Sequence, residues 1–130
     1  MNIISSYLEE RERSAVQAFA GRLSEFLGEE LCHLWLFGSK ARGDFNADSD
    51  VDLLIVPHSL NPERRGIIRR MAARISLDYD TLLNTHILDK TRWDDLAQHQ
   101  DTLWREIQRD GIPLLERYAA VASSPVDSAQ

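Results

Sequence analysis

Along the chain the spacing of apolar positions changes several times, and each change marks an element. Between Ser5 and Gly28, Val16, Phe19, Leu23 and Phe26/Leu27 recur at steps of three and four. That period puts them on one face of a helix, with Arg11, Arg13, Arg22 and Glu25 on the other. Gly28 is its stop. The run Leu31-Cys32-His33-Leu34-Trp35-Leu36-Phe37 is short and aromatic, which predicts a buried strand. Gly38 to Ser49 is rich in Gly, Ser, Asp and Asn and predicts turn and loop. Val51 to Val56 predicts a second strand, closed by Pro57. Asn61-Pro62-Glu63 starts a helix, with Asn as cap and Pro in the first turn, that runs to about Leu77 with Ile67, Ile68, Met71 and Ile75 inward. Thr81 to Leu88 predicts a third strand, and Asp89 or Thr91 caps a short helix containing Trp93 and Leu96. A further helix spans Thr102 to Arg109, and Ile112 to Leu115 is a last short strand or extended segment. Helices alternating with short strands make an α/β arrangement on a small sheet.

The length, 130 residues, fits one domain. We place it at residues 1–118, because Ala119 to Gln130 is small, polar and aperiodic and reads as a disordered tail. A chain of this size can bury a core without a disulfide or metal staple. The lone cysteine, Cys32, lies in an apolar run and is expected in that core. Lys and Arg number 15 against 21 Asp and Glu, a net charge of -6, which argues against a partner recognised through a nucleic-acid backbone. No apolar run approaches the roughly 18 residues of a membrane span. The start, MNIISSYLEERER, turns acidic where a signal peptide turns apolar. The expectation is a soluble cytoplasmic domain.

Chemistry concentrates in Phe37-Gly38-Ser39-Lys40-Ala41-Arg42-Gly43-Asp44 and in Asp48-Ser49-Asp50-Val51-Asp52. Glycine and serine after a buried strand let backbone N–H groups converge, a natural seat for phosphate oxygens. Ser39 adds a hydroxyl, and Lys40 or Arg42 can add positive charge. Asp50 and Asp52, two apart on a strand, project from one face while Val51 points to the core. Carboxylates so close repel unless a cation lies between them, and a hard divalent ion such as Mg²⁺ suits oxygen ligands. A metal pair beside a phosphate seat suggests catalysis on a nucleoside triphosphate.

Gly38-Ser39, ten residues, then Asp50-Val51-Asp52 resembles the Gly-Ser-x10-Asp-x-Asp signature of the DNA polymerase beta-like nucleotidyltransferases. The fuller pattern, Gly-Ser-x-Ala-Arg-Gly and Ser-Asp-x-Asp-Leu-x-x-Val, looks like their minimal nucleotidyltransferase branch. The resemblance implies a small mixed β-sheet flanked by helices, with Gly38 and Ser39 on the triphosphate and Asp50 and Asp52 on two Mg²⁺ ions. It also implies ATP or another NTP as substrate and a small helical HEPN-like partner protein. Some members of the branch are antitoxins that move AMP from ATP onto a tyrosine of the toxin. Active members usually carry a third carboxylate on a neighbouring strand. Here the third strand offers Asp80 at its start and His86 in its body, which share parity on an ideal strand. An imidazole can serve as a base near neutral pH but is a poorer Mg²⁺ ligand than a carboxylate.

Each feature also has a simpler reading. Gly-Ser pairs are common loop punctuation. Arg42 can sit on the site rim in a salt bridge to Asp44 or Asp48. Arg64, Arg65, Arg69, Arg70 and Arg74 read as a solvated helix face, with docking of an acidic partner or acceptor as the alternative. Trp35, Trp93 and Trp104 read as core or interface anchors, which leaves room for self-association. Two readings of the whole chain follow. One is a nucleotidyltransferase whose acceptor hydroxyl is brought by a partner, since the chain has no room for an acceptor domain. The other is a binding module with a weakened site that neutralises a partner by complex formation. A nucleic-acid end as acceptor is a third.

Overall fold

The computed structural model describes residues 7–44 and 50–115. Helix α1 (Glu10–Leu27) leads through a 3-10 turn (Gly28–Glu30) into strand β1 (Leu31–Phe37) and a four-residue helix α2 (Ser39–Arg42). Strand β2 (Val51–Pro57), helix α3 (Pro62–Asp78) and strand β3 (Leu83–Ile87) follow, then α4 (Lys90–His99), α5 (Thr102–Asp110) and the short β4 (Ile112–Pro113). The strand order is β3-β2-β1-β4. β1 runs antiparallel to β2 and β4, and β2 runs parallel to β3, reached through α3. This is the expected mixed sheet flanked by helices. The expected tail over 119–130 lies outside the described residues.

Helix starts follow local chemistry. Asn61 accepts the Arg64 amide at 2.7 Å and Asp89 accepts the Arg92 amide at 2.8 Å, each satisfying a first-turn donor. α1 starts at Glu10 rather than at Ser5, because a capping box closes there: the Glu9 amide donates to Glu12 Oε1 at 2.8 Å. β3 spans Leu83–Ile87, shorter than the expected Thr81–Leu88, and Asp80, at φ +50°, stands in the turn before it. Cys32 is half-buried rather than in the core.

The sheet has a core on each face. Leu34 and Leu36 of β1, paired with Ile55 and Leu53 of β2, pack with Phe19 and Leu23 of α1 and Ile68 and Ile75 of α3. On the other face Phe37, Leu54 and Val56 pack with Trp93, Leu96 and Ile107 of α4 and α5. Full burial of a Leu or Ile side chain stabilises by about 1.5–3 kcal/mol, so these layers fix β2 at the centre. Every residue of β2 is buried except Asp52. A polar residue in an otherwise buried central strand points to a site.

Candidate active site

β1 ends beside the start of β2, with Phe37 in register with Asp52. The chain leaves β1 through Gly38, whose φ of +78° disfavours any side chain. A Cβ there would meet Asp52 Oδ2 and lie 3.2 Å from Asp52 Cγ. Glycine thus lets the carboxylate rest directly on the turn. Gly38 O accepts from the Ala41 and Arg42 amides at 3.0 and 3.1 Å, and Ser39 O accepts from the Gly43 amide at 2.7 Å. These bonds close residues 38–43, expected as loop, into a helical turn with half-buried Ser39 at its head. The first amides of such a turn have no intrahelical acceptor, which suits them to phosphate oxygens.

Asp52 also faces β3. Its register partner is Asn84, whose side-chain amide donates to Asp52 Oδ1 at 2.8 Å. His86, in register with Leu54, brings Nε2 to 3.6 Å from the same oxygen and 3.4 Å from Asn84 Nδ2. The His86 ring stands edge-on to Phe37 with centroids 5.0 Å apart. Asp50, half-buried, lies two residues upstream of Asp52. The structure thus brings Gly38, Asp52 and His86 together and adds Asn84 and Phe37; Ser39 follows Gly38 in the chain, and Asp50 is separated from Asp52 by Val51.

Two expected residues sit elsewhere. Lys40 does not extend toward a phosphate: its side chain is 2% exposed and Nζ lies 2.9 Å from Glu12 Oε2. In a helical turn consecutive side chains diverge, so the residue after Ser39 points inward to α1. Asp80 does not join Asp52; it meets Arg11 of α1 at 3.1 Å and is 94% exposed. Strand parity fails for it because it stands in a turn before β3. Arg42 occupies the rim, with Nε 3.1 Å from both oxygens of Asp44 and Nη1 3.3 Å from Glu106 Oε2. The Asp44 hydrogen bond raises the Arg42 pKa, and Arg42 holds the Asp44 carboxyl below its ordinary value. On α3, Arg64 and Arg65 bind backbone carbonyls of Ser59 and Ile87, and Arg74 pairs with Asp78.

Asn84 and Glu12 were not singled out from sequence. Alternation along β3 would have put Asn84 on the Asp52 face once the register was known. For Glu12 the only signal was an acid at the start of an amphipathic helix.

Asp50 and Asp52 are hard oxygen ligands, and Mg²⁺ is commonly held by one or two carboxylates with the rest of its shell from water and substrate phosphates. Among the described residues no three His, Cys, Asp or Glu side chains group as a complete metal cage. Asp52 against the Gly38 turn, with Asp50 two residues upstream, is a donor set that fits a cation shared with a nucleotide.

The family model described as "Polymerase beta, Nucleotidyltransferase" matches residues 24–119. The chain belongs to this nucleotidyltransferase family. Enzymes of this fold transfer a nucleotidyl group and generally use divalent metal ions, in keeping with the paired acids. The Methanocaldococcus jannaschii protein named "Putative protein adenylyltransferase MJ0141" is 40% identical over 78 residues, covering 58% of this chain and 78% of that protein. Among solved structures, a chain of a complex described as a toxin-antitoxin with AMP-PNP matches with a TM-score of 0.50 and 19% identity. The match covers 75% of this chain and 70% of that one, and at such identity it bears on the fold alone. In this nucleotidyltransferase no helix among the described residues is long and apolar enough to cross a membrane.

Proposed function

We propose that the chain is a Mg²⁺-dependent adenylyltransferase that moves AMP from ATP onto a hydroxyl of a partner protein. The observation that carries this is the seating of the Asp52 carboxylate against the Gly38 turn, which supports a metal-binding role for the acid and a phosphate-binding role for the turn. The relative named as a putative protein adenylyltransferase supports ATP as substrate and a protein as acceptor. Gly38 and Ser39 hold the triphosphate, and Asp50 and Asp52 hold two ions. Bound Mg²⁺ supplies neutralisation of charge on the phosphate oxygens. The acceptor oxygen bonds to the α-phosphorus as the bond to the bridging β-phosphate oxygen breaks, releasing pyrophosphate. His86 Nε2, 3.6 Å from Asp52 Oδ1, takes the hydroxyl proton in this reading; Lys40 and Asp80 have no part in the step. The partner is a small helical, HEPN-like protein, and the pair works in the cytoplasm.

A second reading has its own observation. The β3 residue beside Asp52 is Asn84, a neutral donor and not a third acid. A site with two carboxylates favours a module that binds nucleotide and neutralises its partner by complex formation. Intact-mass analysis of the partner after incubation with ATP and Mg²⁺ separates the two: a mass gain of one AMP supports transfer, and its absence in a formed complex supports the binding module.

A further inference from the structure

The start of α1 lies outside the matched family region, yet it holds the phosphate turn from two sides. Lys40, the residue after Ser39, sends its ammonium into the interior, where Glu12 accepts at 2.9 Å through Oε2 and at 3.2 Å through Oε1. Both side chains are buried, Lys40 at 2% and Glu12 at 9% exposure. Glu12 is itself fixed, because its Oε1 also accepts the Glu9 amide that caps the helix. At the far end of the turn, Gly43 has φ +93°, and the Tyr7 ring covers it so closely that a Cβ would stand 2.6 Å from Tyr7 Cζ. Residues 7–12 therefore grip both ends of α2.

A buried ion pair is a poor source of net stability, since removing two charges from water costs about as much as their attraction returns. Its strength is direction. An ammonium held by a carboxylate that is itself hydrogen-bonded has one geometry, whereas an apolar contact tolerates several. We infer that Glu12 and Lys40 are positioning residues for nucleotide binding: the pair sets the orientation of the Ser39 turn without touching the substrate. This inference rests on the reading of Gly38 and Ser39 as the triphosphate seat. It makes the start of α1 and the nucleotide turn one coupled unit, so that ordering one by a ligand orders the other.

The test measures ATP·Mg²⁺ affinity by calorimetry and the melting temperature without nucleotide, for wild type, Glu12→Gln and the double variant Glu12→Leu/Lys40→Met. Glu12→Gln keeps the shape and an acceptor for the Glu9 amide; it melts lower and binds ATP·Mg²⁺ roughly tenfold more weakly. The apolar double variant recovers the melting temperature but not the affinity. Unchanged affinity in folded Glu12→Gln, or recovery of both quantities in the double variant, overturns the positioning role. Hydrogen exchange on the wild-type chain needs no variant. With ATP and Mg²⁺, protection is expected over residues 9–13 as well as 39–43. Protection at 39–43 alone overturns the coupling, while no binding and no protection anywhere overturns the nucleotide site itself.

Discussion

Asn84 donates its side-chain amide to Asp52 Oδ1 at 2.8 Å, across the parallel pair of strands at the centre of the site. A neutral donor there steadies the carboxylate proposed to hold the metal without adding charge, as outer partners of metal ligands commonly do. Asn84→Asp replaces that donor with a second anion in register with Asp52. Like charges at that spacing disfavour the ionised pair until a cation arrives. The variant is expected to melt below wild type in EDTA and to gain more from added Mg²⁺ than wild type does. Thermal melts with and without Mg²⁺ check this; equal gains would show that residue 84 does not face the metal site.

Gly38→Ala tests the contact between the turn and Asp52. The new Cβ falls on Asp52 Oδ2 at a backbone φ of +78°, so strain and collision act together. Such strain costs about 1–3 kcal/mol, and the displaced carboxylate should weaken Mg²⁺ and ATP binding as well. Urea denaturation and calorimetry measure the two effects, and a fully stable variant with unaltered binding would contradict the geometry.

Lys40→Ala separates a buried ion pair from a phosphate ligand. Its removal strands the Glu12 carboxylate in the interior, which typically costs about 3–5 kcal/mol. The loss should appear in denaturation without any nucleotide. A residue serving only as a phosphate-binding cation would leave that midpoint unchanged.

His99 gives a pH dependence of known sign. Its hydrogen bond to the Asp95 carbonyl, at 2.9 Å, and the Asp95 carboxylate raise its pKa above the ordinary 6.5. A folded value above the unfolded one means its contribution is full below the unfolded pKa and is lost as pH rises through the raised value. Stability should therefore fall slightly as pH rises through and above neutrality, and His99→Gln should flatten that part of the curve. Denaturation midpoints below the ordinary histidine value of 6.5 and well above it are the check. The group is exposed, so the effect is small.

Much of this was legible in sequence because periodicity and spacing are local. Strands β1 and β2, the helix starting at Asn61-Pro62, and the meeting of Gly38 with Asp52 all follow from patterns a few residues long. What was not legible depends on tertiary direction. Lys40 looks like a phosphate ligand until α2 turns it toward Glu12, 28 residues away in the chain. Asp80 shares parity with His86 only if the strand is extended back through it, and the left-handed turn at Asp80 prevents that. Asn84 acquires meaning from the β2–β3 register, which no local pattern specifies.

The central claim is transfer of AMP through Asp50 and Asp52. Incubate the wild-type chain with the proposed partner protein, ATP and Mg²⁺, alongside Asp50→Asn and Asp52→Asn, and record intact masses of both proteins. The expected result is one added AMP on the partner with wild type and none with either variant. Undiminished transfer by the variants, or no transfer by wild type in a complex shown to form, would contradict it.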